Sequence, residues 1–527
     1  MKRPLLFMLI TLFFSIPSHA QEDQIVKRIE KQMQFSTSDH MVVPLAESKE
    51  VIVLRETNNF RKGPEGQMRT WMLTKYDEDL NAVWFHEVLT LRNRKVTDYI
   101  VDKENNKVYF LISFPTFNNK FQLLFVDIET GETEMHFPKG SNFAISEFKQ
   151  SGDLLYFSGR QRGSNTRRSL AAYAQITIHI GNPVRALKSN PYSMAFDIKS
   201  GKTYESAPKM KSYSMHLDSK IDETGNLTQF YKNVISKKEM YLFKRKIAKG
   251  DTIEQENINV DPSVAIINSA ELFSHNNKEL MVGSYRKLGE KDNWTNAVGT
   301  GNNEGIYFGD VTDPDNPKFK FHKFSEMQSF RTTLENLINT QESFQKKFSK
   351  DEDERYNLRN FFVYEPVIRG DEFHVTLEHY VPTTRRVTTT SGSRSVFNGN
   401  LHWGFTMLSF DREGELLWDL TFPLGNLKNF ETRKTVDVTF GEDYNSTYTY
   451  SNGYEIVKRY GKADEVSKPT RPIPYEEETT KEGTKTFRKS TKHWFGDYYI
   501  TFGNEQVKLG GLNYKNLFFL TKMQFQE

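Results

Sequence analysis

The sequence predicts an all-β protein assembled from repeated four-stranded antiparallel units, and three observations carry that expectation. The first is a recurring hairpin: "LLFVDIETGETEMHF" (123–137), "MAFDIKSGKTYES" (194–206) and "LSFDREGELLWDLTF" (408–422) each run from an apolar strand through Asp and Gly into a second strand. "LTKYDEDLNAVWFHEV" (73–88) aligns with the third copy without a gap and matches Trp84 to Trp418. The second is a different hairpin ahead of each, as in "YIVDKENNKVYFLISF" (99–114), "SEFKQSGDLLYFSG" (146–159), "LDSKIDETGNLTQFYKNV" (217–234), "AELFSHNNKELMVGSY" (270–285) and "YEPVIRGDEFHVTLEHY" (364–380). The third is burial pattern: from Phe121 to Ile128 apolar side chains occupy both parities, as in a strand covered on both faces.

Two hairpins per unit make four strands, and a repeated four-stranded unit of this length is a propeller blade. The chain therefore reads as a β-propeller of about seven blades, at 41–89, 96–138, 143–206, 214–260, 268–324, 360–424 and 435–527. The last unit is overlong, which leaves room for an eighth. An eight-stranded sandwich is the competing architecture, but it does not account for the paired hairpins.

The other elements follow in chain order. Residues 1–20 join Lys2 and Arg3 to an apolar stretch, Leu5 to Phe14, and end Ser18-His19-Ala20, the pattern of a signal peptide cleaved between Ala20 and Gln21. That apolar stretch is shorter than the ~20 residues a spanning helix needs, so a secreted or periplasmic location without a transmembrane segment is expected. In the N-terminal segment 21–40, residues Glu22 to Phe35 are expected to form a brief helix through Ile25, Val26 and Ile29. The propeller then occupies 41–527, with an amphipathic helical insertion at 325–359. There Phe330, Leu334, Leu337, Ile338, Phe344 and Phe348 recur at helical spacing, and Ser325 with Gln328 has the form of a capping box. The stripe is expected to pack on the propeller rim. "TTRRVTTTSGSRSVFNGN" (383–400) and the charged stretch 462–492 read as mobile loops.

Composition narrows the function classes. The 527 residues contain no cysteine, which excludes disulfides, thiolate metal sites and a cysteine nucleophile. The formal charge is +3, and about +1 without Lys2 and Arg3, which gives no reason to expect nucleic acid as a partner. The sequence has no nucleophile elbow, zinc-helix or phosphate-loop motif. His374 and His379 differ by five on one strand, so the pleat turns them to opposite faces.

Two groups remain as candidate sites. Arg160, Arg162, Arg167 and Arg168 form a basic loop suited to an anionic ligand or partner. Asp310, Asp313 and Asp315 offer hard oxygens to calcium, the one cofactor the sequence suggests, and Asp127, Glu129 and Glu132 do so less well. Asp and Gly alone recur between the copies of that last turn, so its acids read as the outside of a hairpin.

"FVDIETGETEM" (125–135) resembles the Asp-x-x-x-Gly turn of quinoprotein propellers, with Met135 at the position where that repeat carries tryptophan. "GDVTDPDNPKF" (309–319) is similar to a turn of bacterial surface propellers. The chain thus resembles secreted bacterial β-propellers, which implies the fold but transfers no functional residue. A quinone cofactor is not expected, since the tryptophan repeat is mostly missing. The expected function is a non-catalytic binding or scaffold module for an envelope protein or glycan. The alternative is a carbohydrate-active hydrolase or lyase using carboxylates that face the central channel.

Overall fold

The computed structural model describes residues 24–524 apart from 163–188, 288–301, 341–354, 461–484 and short stretches of one to four residues. Seven sheets of four or more antiparallel strands follow one another along the chain and form the blades of a propeller. Blade one is built from His40–Leu45, Glu50–Gly63, Gly66–Tyr76 and Ala82–Leu91. Blades two to six follow at 95–136, 139–206, 213–259, 266–323 and 361–429, close to the units read from the sequence. In each, the later strands succeed the first outward, and in blade three the short strand Asn118–Lys120 pairs on the free side of the first.

The first strands are the innermost. His40–Leu45, Lys95–Asp102, Lys139–Ser151, Tyr213–Ile221 and Glu271–His275 touch in succession. Last strands such as Ala82–Leu91 and Asp251–Asn259 are largely exposed. Middle strands are sandwiched between neighbours: Lys107–Ser113 and Gln122–Asp127 are buried at nearly every position, as their two-parity apolar pattern requires.

Closure of the ring departs from the sequence reading. Gln24–Met33, expected as a short helix, is the outer strand of the seventh blade and pairs along its length with Asn513–Gln524. Ile29 and Met33 fall at the same parity and pack against Phe518, Leu520 and Trp494. A pattern that also fits i, i+4 spacing is thus satisfied as a strand, because the C-terminal hairpin Tyr498–Gly510 and Asn513–Gln524 offers it an open edge. The overlong last unit divides accordingly. Asp437–Phe440, Asn445–Ser451 and Tyr454–Tyr460 make a separate three-stranded sheet, and Lys485–Phe495 is the inner strand of the closing blade.

Two expected loops are corrected in part. Residues 383–400 continue the strands Glu372–Thr389 and Gly392–Phe410 as one long hairpin, consistent with the β preference of their threonines and valines. Residues 485–492 belong to the closing blade, whereas the rest of the charged stretch falls outside the described residues.

The helical insertion is present as a short 3-10 turn, Phe324–Glu326, and a helix, Gln328–Thr340, which we label α1. Phe330, Leu334 and Leu337 are buried with Trp403 and Leu377 of blade six, so the stripe packs on the propeller. Phe344 and Phe348 lie outside the described residues. The capping differs from the Ser325–Gln328 box: Asp419 of blade six accepts from the Phe330 N–H at 2.8 Å and from the Gln328 and Ser329 amides, placing a carboxylate on the positive end of α1.

The recurring Asp and Gly have a local cause. Asp127 Oδ1 accepts from the Glu129 and Thr130 amides at 3.1 and 2.8 Å, and Gly131 takes φ +74°. A Cβ at Gly131 would come within 2.7 Å of Trp84 and His86 of blade one. Asp197 with Gly201 and Asp411 with Gly414 repeat the arrangement in blades three and six.

Candidate functional site: the central channel

The inner strands of five consecutive blades carry an acid at corresponding places. In blades two, three and four a β-bulge immediately precedes it: Val96/Asp98, Ile145/Glu147 and His216/Asp218. A bulge re-aims the side chain that follows it. In blade five the inner strand breaks after Ile267 and resumes at Glu271, and in blade six Glu365 lies in the break between Phe361–Val363 and Val367–Arg369.

Electrostatics places these side chains around one axis. Lys149 of blade three feels the charges of Glu147, Asp218, Glu365 and Glu271, contributed by blades three to six. Asp98 of blade two feels Lys149 and Lys492, the latter from the closing blade. Groups on so many blades meet only at the channel. Lys434, ahead of the three-stranded sheet, reaches to 3.8 Å of Glu271.

Burial in this cluster shifts Asp98, Glu147, Asp218 and Glu271 toward the protonated carboxyl. Burial, and then the charge and hydrogen bond of neighbouring Asp218, push the Glu147 carboxyl well above the carboxylate range. Burial also raises Asp218, although its Oδ2 accepts from the Leu272 N–H at 2.6 Å. Glu271 is raised to about 7 by burial and by Asp218. Lys149 stays charged because these acids outweigh its burial. Glu147 Oε2 is buried and has no hydrogen-bond partner among the described residues. A mixed wall of carboxyls and ammonium groups both donates and accepts.

Raised carboxyls bind protons more tightly in the folded than in the unfolded chain, so their contribution to stability is present at low pH and lost as pH rises. For Glu271 the window runs from its ordinary 4.5 to about 7. His216 and His379, buried and held neutral with pKa lowered to about 3, act in the opposite sense below 6.5. The effect is therefore read as a difference. Glu271→Gln is expected to gain stability relative to wild type between pH 5 and 7.5, by at most about 1.4 kcal/mol per pH unit. Urea melts of both proteins at several pH values check this; a difference that does not change with pH contradicts it.

The residues singled out in the sequence lie elsewhere. Asp310, Asp313 and Asp315 share one turn: Asp310 Oδ1 accepts from the Thr312 amide at 3.1 Å, and Asp313 Oδ1 accepts from the Asp315 amide at 3.1 Å. Among the described residues no group of three or more His, Asp or Glu is arranged to hold a metal. Arg160 is half-buried beside Tyr231 and His216, on the second strand of blade three. Arg162 ends that strand with its side chain outside the description, as are Arg167 and Arg168 altogether. His374 and His379 are separated as expected, one against Trp418 and the other stacked on Trp403.

A second polar constellation supports the channel from behind. Glu378 of blade six, fully buried, accepts from Tyr364 Oη at 2.5 Å and from the Thr435 and Val436 amides at 2.8 and 3.3 Å. The Thr435 hydroxyl also donates to it. His402 Nδ1 lies 2.5 Å from its other oxygen. Burial opposes the charge, but His402, Thr435 and Tyr364 outweigh it and hold the carboxyl below its usual range. The hub fixes the segment that carries Lys434, whose ammonium sits over the Tyr364 ring at 4.6 Å.

No protein-family model and no curated protein sequence matches the chain. Among solved structures it is similar to dihydro-heme d1 dehydrogenase NirN at 11% identity, over 98% of this chain and 84% of that one, with a TM-score of 0.43. It is also similar to the β-propeller domain of the Trilobed protease from Pyrococcus furiosus at 10% identity, over 82% and 96%, with a TM-score of 0.34. At these scores neither carries an argument about this chain's chemistry. No described helix is long and apolar enough to cross a membrane.

Proposed function

We propose that this propeller is an exported, non-catalytic binding module whose channel mouth takes a hydroxyl-rich glycan or a polar protein segment of the cell envelope. The observation that carries the reading is the convergence of Asp98, Glu147, Asp218, Glu271 and Glu365 with Lys149 and Lys434 on one channel. Protonated carboxyls and ammonium groups together match the alternating donors and acceptors of a polyhydroxylated ligand. The partnerless Glu147 Oε2 offers a buried acceptor for it.

Envelope extract or a glycan array tests this with the mature protein and with Glu147→Gln combined with Lys149→Ala. Wild type is expected to retain a stoichiometric ligand, and the double variant to lose at least about tenfold in affinity, the effect of removing a buried charge-assisted contact. Equal retention by both overturns the reading. So does turnover of the retained polysaccharide.

One observation favours a second reading, acid–base catalysis on a polysaccharide. Glu147 and Asp218 form a hydrogen-bonded acid pair, and such a pair keeps one proton available near neutral pH. A directly hydrogen-bonded pair differs from the two carboxyl groups of glycosidases, which stand roughly 5 to 9.5 Å apart, and this supports the binding reading over the catalytic one. Turnover abolished by Glu147→Gln would reverse that order.

A further inference from the structure

A guanidinium without a counter-charge lies in the seam between blades three and four. Arg245, on the third strand of blade four (Glu239–Ala248), is completely buried. Its Nη2 donates to Ser206 Oγ at 2.7 Å and to Ser193 Oγ and Thr252 Oγ1 at 3.3 Å each. Its Nε and Nη1 are buried and make no hydrogen bond among the described residues. No described carboxylate pairs with it. Lysine in such a place can shed its proton, but a guanidinium cannot, so the charge persists. An uncompensated buried charge is strongly destabilising, and the usual remedy is an anion with matching acceptors.

The surroundings suit an anion better than a side-chain carboxylate. Ser193 and Ser206 come from blade three and Thr252 from the outer strand of blade four, so three hydroxyls flank the guanidinium. Ser206 and Thr252 are linked at 3.1 Å, the first half-buried and the second exposed, so the hydroxyl side of the guanidinium faces the rim. Arg160, part of the basic stretch noted in the sequence, acts on the same Tyr231 as Arg245 and adds positive potential. Guanidinium and hydroxyl donors side by side are the recognition set of an oxyanion, which takes paired N–H donors and further O–H donors on its remaining oxygens.

We propose that the Arg245 seam between blades three and four is a binding site for a small inorganic oxyanion of the phosphate or sulfate class, which cements the two blades. The inference is independent of the channel reading, since none of these residues belongs to the acid cluster. Thermal melts of the mature protein in sodium phosphate, against sodium chloride at matched ionic strength, test it. Wild type is expected to show a saturable rise in Tm of several degrees with phosphate, and Arg245→Met to show none.

Because Arg245→Met risks failing to fold, Ser206→Ala at the rim serves as a milder variant. Isothermal titration of phosphate into it is expected to give a roughly tenfold weaker dissociation constant than wild type, the loss of one hydrogen bond to a charged group. Absence of saturable phosphate binding by wild type overturns the proposal. An equal Tm rise with chloride, or an unchanged dissociation constant in Ser206→Ala, also overturns it.

Discussion

Replacing Glu378 with alanine is expected to lower the unfolding free energy by about 3 to 5 kcal/mol, the range for breaking a buried charged network by removing one partner. The reason is the number of groups that depend on this carboxylate. Tyr364 Oη, the Thr435 amide and hydroxyl, the Val436 amide and His402 Nδ1 all point at it in a region closed to water. Removing it orphans the Thr435 and Val436 amides and His402 Nδ1 at once, while the Tyr364 hydroxyl keeps the Val436 carbonyl at 2.9 Å, and an unsatisfied buried donor costs about 1 to 3 kcal/mol by itself. Glu378→Gln is expected to recover only part of the loss, because an amide presents two donors to a pocket already full of donors. Urea denaturation of the three proteins at neutral pH measures the difference; a loss below about 1 kcal/mol for the alanine variant would show that the hub is not structural. The same variants should weaken any ligand of the channel, because the segment anchored by Thr435 carries Lys434.

Deleting residues 24–33 is the second large effect. The deletion removes the outer strand of the closing blade, which pairs along the C-terminal strand Asn513–Gln524. Ile29 and Met33 leave the core around Trp494 and Phe518. Arg28, whose side chain packs over the Phe519 ring at 4.4 Å and pairs with Glu505 at 2.8 Å, leaves as well. At about 1.5 to 3 kcal/mol per buried apolar side chain, Ile29 and Met33 together account for roughly 3 to 6 kcal/mol, which reaches the lower end of the stability of an ordinary domain. The truncated chain is expected to melt without cooperativity. A synthetic 24–33 peptide added in excess should restore part of the transition, since its partner strand remains available. A truncated protein with an unchanged cooperative Tm would mean that the ring closes without its first strand.

Much of the architecture was legible because a blade hairpin is specified locally. Asp127 and Gly131 make their turn with neighbours two to four residues away, so the pattern repeats wherever the turn does. The matched tryptophans Trp84 and Trp418 do sit on outer strands of their blades. The channel acids were missed although a signal was present. In four of the hairpins read from the sequence, Glu147, Asp218, Glu271 and Glu365 occupy the second position, and Asp98 stands just before the fifth. Asp310 to Asp315 and Arg160 to Arg168 are contiguous in sequence, whereas successive channel acids stand 49 to 94 residues apart.

The sequence by itself determined the strands, the turns, the paired hairpins and the buried stripe of α1, because each depends on residues within one or two turns of chain. The tertiary structure alone decided the rest. Gln24–Met33 is a strand because an edge far along the chain is open to it. Asp419, and not Ser325, caps α1 because blade six places it there. Glu147, Asp218 and Glu271 bind protons more tightly than free carboxyls because folding takes them from water and sets them beside one another, and no single segment of the chain contains that proximity.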